Sequence, residues 1–176
     1  MSDRVDVLRD KLYGEDGGGV FAILDGASVP GLQQKLIDHE PPNVCLYAGD
    51  LKPDMKEVAP YLVKLDREGP FTDWIFERGW GQHWGVFVES GADLTVLRRH
   101  LRSFLKVHDP SGKPLLFRYY DPRVLRVYLP TCNAEELKTL FGPVQAYAME
   151  DESGAGLLRF RLKNGALAKQ TEQIPS

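Results

Sequence analysis

The residues of this chain whose types could do chemistry are few and scattered. Asp25 closes the apolar run 20–24 in the stretch LDGAS. In open α/β sheets ligands gather at the carboxyl ends of strands, and hydrolases place a nucleophilic aspartate there. That chemistry needs a second acid, a lysine or a metal ligand, and Ala27 stands where a DxD pattern would put the second acid. The plainer role is a carboxylate that accepts hydrogen bonds from the following turn and caps the next helix. His39, His83, His100 and His108 form no HExxH or HxH pair, and Cys45 and Cys132 no Cys-x-x-Cys, so neither a metal nor a cofactor is expected. His100, between Leu97 and Leu101, reads as a packed ring. Cys132 precedes a predicted helix, whose positive dipole end would lower a thiol pKa. No histidine is spaced to serve it, and a small buried thiol is expected instead. Gly17-Gly18-Gly19 precedes a strand rather than following one, so it reads as a turn and not a phosphate cradle. Trp74, Trp80 and Trp84 read as packing residues at a core corner.

The most distinctive stretch is FRYYDPRVLRVYLP, residues 117–130. Alternation on a strand would put Phe117 and Tyr119 on one face and Arg118 and Tyr120 on the other. Asp121-Pro122 would then turn the chain into a second strand, with Arg123 folding back on Asp121. This reads either as an ordinary hairpin with a local salt bridge or, since tyrosine and arginine are the side chains enriched at interface anchors, as a recognition surface. Aromatics interleaved with bases also suit single-stranded nucleic acid, but the chain shows no RNP or helix-turn-helix signature.

The elements that must position these residues follow from periodicity. Val5, Leu8 and Leu12 predict an opening helix; 20–24 and NVCLYAG (43–49) predict strands flanking a helix over about 30–39. Such a β-α-β unit is normally parallel and right-handed. The segment 50–59 is expected to wind along the surface before Tyr61, Leu62 and Val63 re-enter the core. A short helix over 71–78 and a strand over 84–89 come next. Leu94, Leu97, Leu101, Phe104 and Leu105 form one stripe, with Arg98, Arg99 and Arg102 between them, which predicts an amphipathic helix with a basic face. Asn133 and Glu136 mark the start of another helix that Gly142-Pro143 ends. Residues 144–149 and 156–165 predict an antiparallel hairpin with an acidic turn at 150–152. The fold class is therefore α/β, with α+β open: a mixed sheet, flanking helices and C-terminal hairpins. One domain over 1–166 is expected, either unitary or as two lobes (about 1–90 and 91–166) sharing a core, before a polar, frayed tail at 167–176.

Composition narrows the class. Over 176 residues, 43% are apolar and 27% charged, which excludes a disordered or fibrous chain. Seventeen glycines and twelve prolines suit a loop-rich domain better than a plain helical bundle. The net charge of −3 hides an uneven distribution. Residues 1–90 carry nine bases and sixteen acids, while 98–126 carry eight bases and only Asp109 and Asp121 as acids. This charge distribution argues against a uniformly basic nucleic-acid binder and leaves open a basic face for an acidic partner. No apolar run reaches the length of a membrane span, and the N-terminus has neither the apolar core nor the cleavage site of a secretory signal. With two unframed cysteines, a cytoplasmic location is expected.

LDGA at 24–27, APYLVKL at 59–65, WGVFVES at 84–90, LRRHLRSFLKV at 97–107, FRYYDPRVL at 117–125, LPTC at 129–132 and FGPV at 141–144 occur in this order. Over about residues 20–150 the chain resembles the type VI secretion effector-adaptor family, the Tap or TEC chaperones, first catalogued as a domain of unknown function. FRYYDPRVL with the preceding helix is the specific part. The resemblance implies a non-enzymatic protein of the bacterial cytoplasm that loads a toxin effector onto the VgrG spike. It places Arg118, Tyr119, Tyr120, Asp121, Pro122 and Arg123 in the signature segment and matches Asp25 and Pro60 to the earlier motifs. Longer members carry a further C-terminal segment, a natural place for cargo specificity. With the basic helix, the expected partner-binding set is Arg98, Arg99, Arg102, Arg118, Tyr119, Tyr120, Asp121 and Arg123. The alternatives are a small hydrolase using Asp25 and a nucleic-acid module using the basic 98–126 stripe.

Overall fold

A computed structural model describes residues 3–14 and 17–176; Met1 and Ser2, at the start of the N-terminal stretch, and the acidic Glu15 and Asp16 lie outside the described residues. The apolar run after the glycines forms strand β1 (Gly19–Asp25), flanked by β3 (Pro60–Leu65) and β4 (Gly85–Ser90). Together with β2 (Asn43–Cys45), β7 (Ala146–Glu150), β8 (Gly156–Lys163) and β9 (Ala166–Gln173) they make a seven-stranded sheet in the order β2-β3-β1-β4-β7-β8-β9. All neighbours are antiparallel.

This corrects the parallel start expected from the sequence. β1 and β2 run in the same direction, but β3 is inserted between them and pairs antiparallel with both. The continuous apolar pattern of β1 has a different cause from strand direction: the sheet is covered on both faces. Phe21 and Ile23 point into one core with Val86, Val88, Tyr147 and Phe160, while Val20, Ala22 and Leu24 point into the other with Val63, Phe87 and Leu157. Alternation therefore exists in β1, but both phases are apolar.

Helices α1 (Asp3–Leu12), α2 (Leu32–His39) and α4 (Pro70–Trp74) cover the second core through Val5, Leu8, Leu32, Leu36 and Phe71. A π-helical turn, Ile75–Gly79, continues α4. The first core is covered by α5 (Leu94–Arg102), α6 (Pro122–Tyr128) and α7 (Ala134–Phe141), through Leu97, Leu101, Leu125, Leu137 and Leu140. Each such side chain stabilises the fold by about 1.5–3 kcal/mol relative to exposure. Short α3 (Pro53–Val58) lies on the surface, and β5 (Lys106–His108) pairs with β6 (Pro114–Leu116) in a small second sheet. Both cores draw side chains from both halves of the chain.

Two further expectations are corrected. The signature segment is not a hairpin: the strand ends at Leu116, and residues after Asp121 form α6. Asp121 accepts from the Arg123 backbone N–H at 2.9 Å and Pro122 follows it, a helix start that outweighs the β-branched and aromatic content beyond. The last residues are not a frayed tail. β9 pairs with β8 over eight positions, and the Ile174 N–H donates to the Ala155 carbonyl at 2.8 Å while its side chain is buried.

Candidate functional site

Three separate sequence motifs meet at one end of the sheet. Asp25, the last residue of β1, pairs in register with Pro60, the first of β3. The next residue, Gly26, donates to the Ala59 carbonyl at 3.0 Å. A Cβ at Gly26 would lie 2.5 Å from the carbonyl oxygens of Ala59 and Glu57, so only glycine lets the two strand ends close. The signature segment then reaches this corner from the opposite side of the sequence: Arg118 forms an ion pair with Asp25 through Nη2 and Oδ2.

Asp25 is 1% exposed. Its Oδ1 accepts from the Ala27 N–H at 3.1 Å, and its Oδ2 accepts from the Ser28 hydroxyl at 2.8 Å as well as from Arg118. The carboxylate thus organises the turn after β1, as expected. It does not cap α2, whose N-cap is Gly31. Burial works against the charge of Arg118, yet the neighbouring Asp25 outweighs it, and the guanidinium holds its proton more tightly than usual. The guanidinium also sits 6.0 Å over the Tyr120 ring, a cation–π contact.

Asp121 repeats the design one turn later. It is buried and accepts from Arg123 Nε at 3.1 Å and Nη2 at 2.9 Å. Burial would raise its pKa, but the bonds from Arg123 prevail and hold the carboxyl below its ordinary value. The corner therefore presents two guanidinium groups, each about half exposed and each held by a buried carboxylate.

Tyr119 and Tyr120, expected at a partner surface, are instead buried, at 0% and 1% exposure. Alternation fails because the chain turns here rather than extending. The Tyr119 hydroxyl donates to the Leu101 carbonyl at 2.7 Å and so ties the signature segment to the end of α5. Burial, with Tyr47 adjacent, pushes the Tyr120 phenol up beyond its usual range. Pro122 is buried as well. Of the expected set, the α5 arginines form no ion pair among the described residues; Arg99 is exposed, while Arg98 and Arg102 are half-buried.

The remaining candidates take structural places. His100 bonds the Leu140 carbonyl through Nε2 at 2.9 Å and packs edge-on against Phe104. Burial, then the Glu136 carboxylate, push the Cys132 thiol above its ordinary value, so the helix dipole does not activate it. Trp74 and Trp84 pack together at 5.0 Å, and Trp80 donates to the Gly154 carbonyl at 2.8 Å. Among the described residues no group of three or more His, Cys, Asp or Glu is placed to hold a metal ion, and no helix is long and apolar enough to cross a membrane.

Sequence reasoning missed Glu150, read only as part of the acidic turn at 150–152. It ends β7, is 4% exposed, and accepts from the backbone N–H groups of Gly81 at 2.6 Å and His83 at 3.1 Å, with the His83 ring beside it. It also missed Tyr47 and Gly26; the glycine directly after a strand-ending aspartate was the available signal for the latter.

Comparison with protein families matches residues 20–139 to the family described as Domain of unknown function (DUF4123). The chain belongs to the DUF4123 family. The DUF4123 match runs from the start of β1 into α7 and so contains the whole Asp25–Arg118 corner and all of α5; it leaves out α1 and the three C-terminal strands. Comparison with curated proteins and with solved structures gives no match.

Proposed function

We propose that this DUF4123 protein is a non-enzymatic adaptor of the bacterial cytoplasm that binds a toxin effector and loads it onto the VgrG spike of a type VI secretion machine. The observation that carries the reading is the use made of the signature residues. Asp25, Gly26, Pro60, Tyr119, Tyr120 and Asp121 fasten strand ends, a turn and a helix start together, while Arg99, Arg118 and Arg123 are exposed and Arg98 and Arg102 half-buried. A segment used in this way builds a surface rather than a reaction centre. Asp25 has three donors on its carboxylate, which suits a fastener better than a nucleophile.

The test is co-purification of the full chain with the spike and toxin proteins encoded beside its gene, together with deletion of that gene. The adaptor reading expects both proteins to be retained and toxin delivery to stop on deletion. If neither protein binds and delivery survives, the reading is wrong.

A further inference from the structure

The groove beside α5 has a chemistry of its own. It runs between the segment joining β2 to α3 and the small β5–β6 sheet, with a volume of about 580 Å³. Its floor is formed by Leu46 and Leu105, buried residues of the core, so its base is firm. Its walls are Leu51, Met55 and Leu116, and of these Met55 is 41% and Leu116 47% exposed. Large side chains left open on facing walls of one groove mark a surface that gains by being covered. An unbranched methionine on a six-residue helix adapts its shape to an occupant.

The rim is basic. Arg102 and Lys106 line the groove, and Arg98, Arg99 and Arg102 line an adjoining cleft of about 380 Å³ along α5. Among the other arginines, Arg4 and Arg126 donate to the Glu77 and Glu150 backbone carbonyls, and Arg9, Arg67, Arg118, Arg123, Arg159 and Arg161 form ion pairs. Among the described residues Arg98, Arg99, Arg102 and Lys106 form none. Their charge is therefore uncompensated at the edge of an apolar groove. The large exposed apolar residues of the lining, Met55 and Leu116, are aliphatic and Tyr47, its one aromatic, is half-buried, which suits aliphatic side chains better than the several open aromatic faces that stack nucleic acid.

We infer that this groove seats a segment of a protein partner whose aliphatic residues are flanked by aspartate or glutamate. The aliphatic residues enter between Met55 and Leu116, and the carboxylates meet Arg98, Arg102 and Lys106. The inference rests on the adaptor reading in one respect, that the occupant is a protein.

Two arms test it. In the first, methyl resonances of Met55, Leu105 and Leu116 in the full chain are followed by NMR during titration with a leucine peptide flanked by glutamates. The same peptide with lysines for glutamates, and a single-stranded RNA oligonucleotide, serve as comparisons. The expected result is shifts confined to the groove, binding about tenfold tighter for the glutamate peptide, and loss of that preference in Arg98→Glu/Arg102→Glu. Shifts elsewhere, no preference for glutamate, no binding of the glutamate peptide, or RNA displacing it from these methyls would each overturn the inference. In the second arm, the neighbouring spike and toxin are bound to wild type, to Leu116→Asp and to Val127→Asp, a control on an exposed position of α6. Loss of one partner with Leu116→Asp alone is expected. If both partners bind Leu116→Asp as they bind wild type, the groove is excluded and the adaptor reading stands. If the peptide docks in the groove but neither protein binds wild type, the groove stands and the adaptor reading falls.

Discussion

Asp25 and Asp121 are buried carboxylates, each holding the guanidinium of an arginine that remains about half exposed. Removing the carboxylate at position 25 strands the Ala27 N–H and the Ser28 hydroxyl and releases Arg118. Asp25→Ala is therefore expected to cost about 2–4 kcal/mol in denaturant unfolding. Arg118→Ala leaves the buried carboxylate without its cation, so the double variant should cost less than the two singles together. Asp121 carries a pH signature. Its pKa is depressed in the folded state, so its contribution is complete above the unfolded value near 4 and is lost as pH falls through the folded one. Asp121→Asn keeps a competent N-cap and removes only the charge. Its deficit in melting temperature against wild type should be constant above about pH 5 and shrink in stronger acid. A deficit that does not change with pH would mean the charge contributes nothing. At this scale the sequence was partly legible. The turn role of Asp25 and the return of Arg123 onto Asp121 are short-range and were readable from spacing. The Asp25–Arg118 pair joins residues 93 positions apart, and no local pattern encodes that distance.

At the scale of elements, the amphipathic stripe of α5 and the capping box of α7 were plain in the sequence. Asn133 accepts from the Glu136 N–H at 2.9 Å, and Glu136 returns to the Asn133 N–H at 3.1 Å. Asn133→Ala should lower stability by about 1 kcal/mol, measured by urea unfolding. β9 was not legible, because ALAKQTEQ has neither strong alternation nor strand-forming residues apart from Thr171. Pairing with β8 and a charge cluster hold it instead. Arg159, buried in β8, donates to Glu89 of β4 at 2.7 Å, to Glu172 of β9 at 2.9 Å and to the Lys11 carbonyl of α1 at 2.6 Å. Arg159→Leu leaves two carboxylates without that partner, so a loss of about 3 kcal/mol is expected, with faster amide exchange in α1 and β9 than in β1. Uniform exchange across the sheet would show that the cluster does not fasten those two elements. The signature segment was misread at this scale because tyrosine, valine and arginine suit a strand, while Asp121-Pro122 decides locally for a helix.

Across the whole molecule, the acidic first half and basic second half partly neutralise each other through folding: Arg159 and Arg161 reach Glu89 across the sheet, and Arg118 reaches Asp25. Among the described residues the arginines of α5 form no ion pair and lie together along one cleft. Association with an acidic partner should therefore slow as salt rises from below to above about 0.1 M, where the screening length is near 10 Å, and Arg98→Glu should flatten that dependence. Stopped-flow association rates would show it, and a salt-independent rate in the wild type would exclude α5 from the encounter. Net charge and its division were readable from composition; which bases remain free was not, since that depends on the sheet order. The same order has a consequence for synthesis. From β4 outward the strands β7, β8 and β9 follow one another in both sequence and space. On the ribosome, β2, β3, β1 and β4 are complete first, and each later strand is added to a single growing margin. Until β7 emerges that margin is the bare edge of β4, whose Phe87 and Val88 belong to opposite cores. A nascent chain whose emerged part ends between residues 90 and 146 thus exposes a pairing-competent edge, and that interval is where a ribosome-bound chaperone has most to cover.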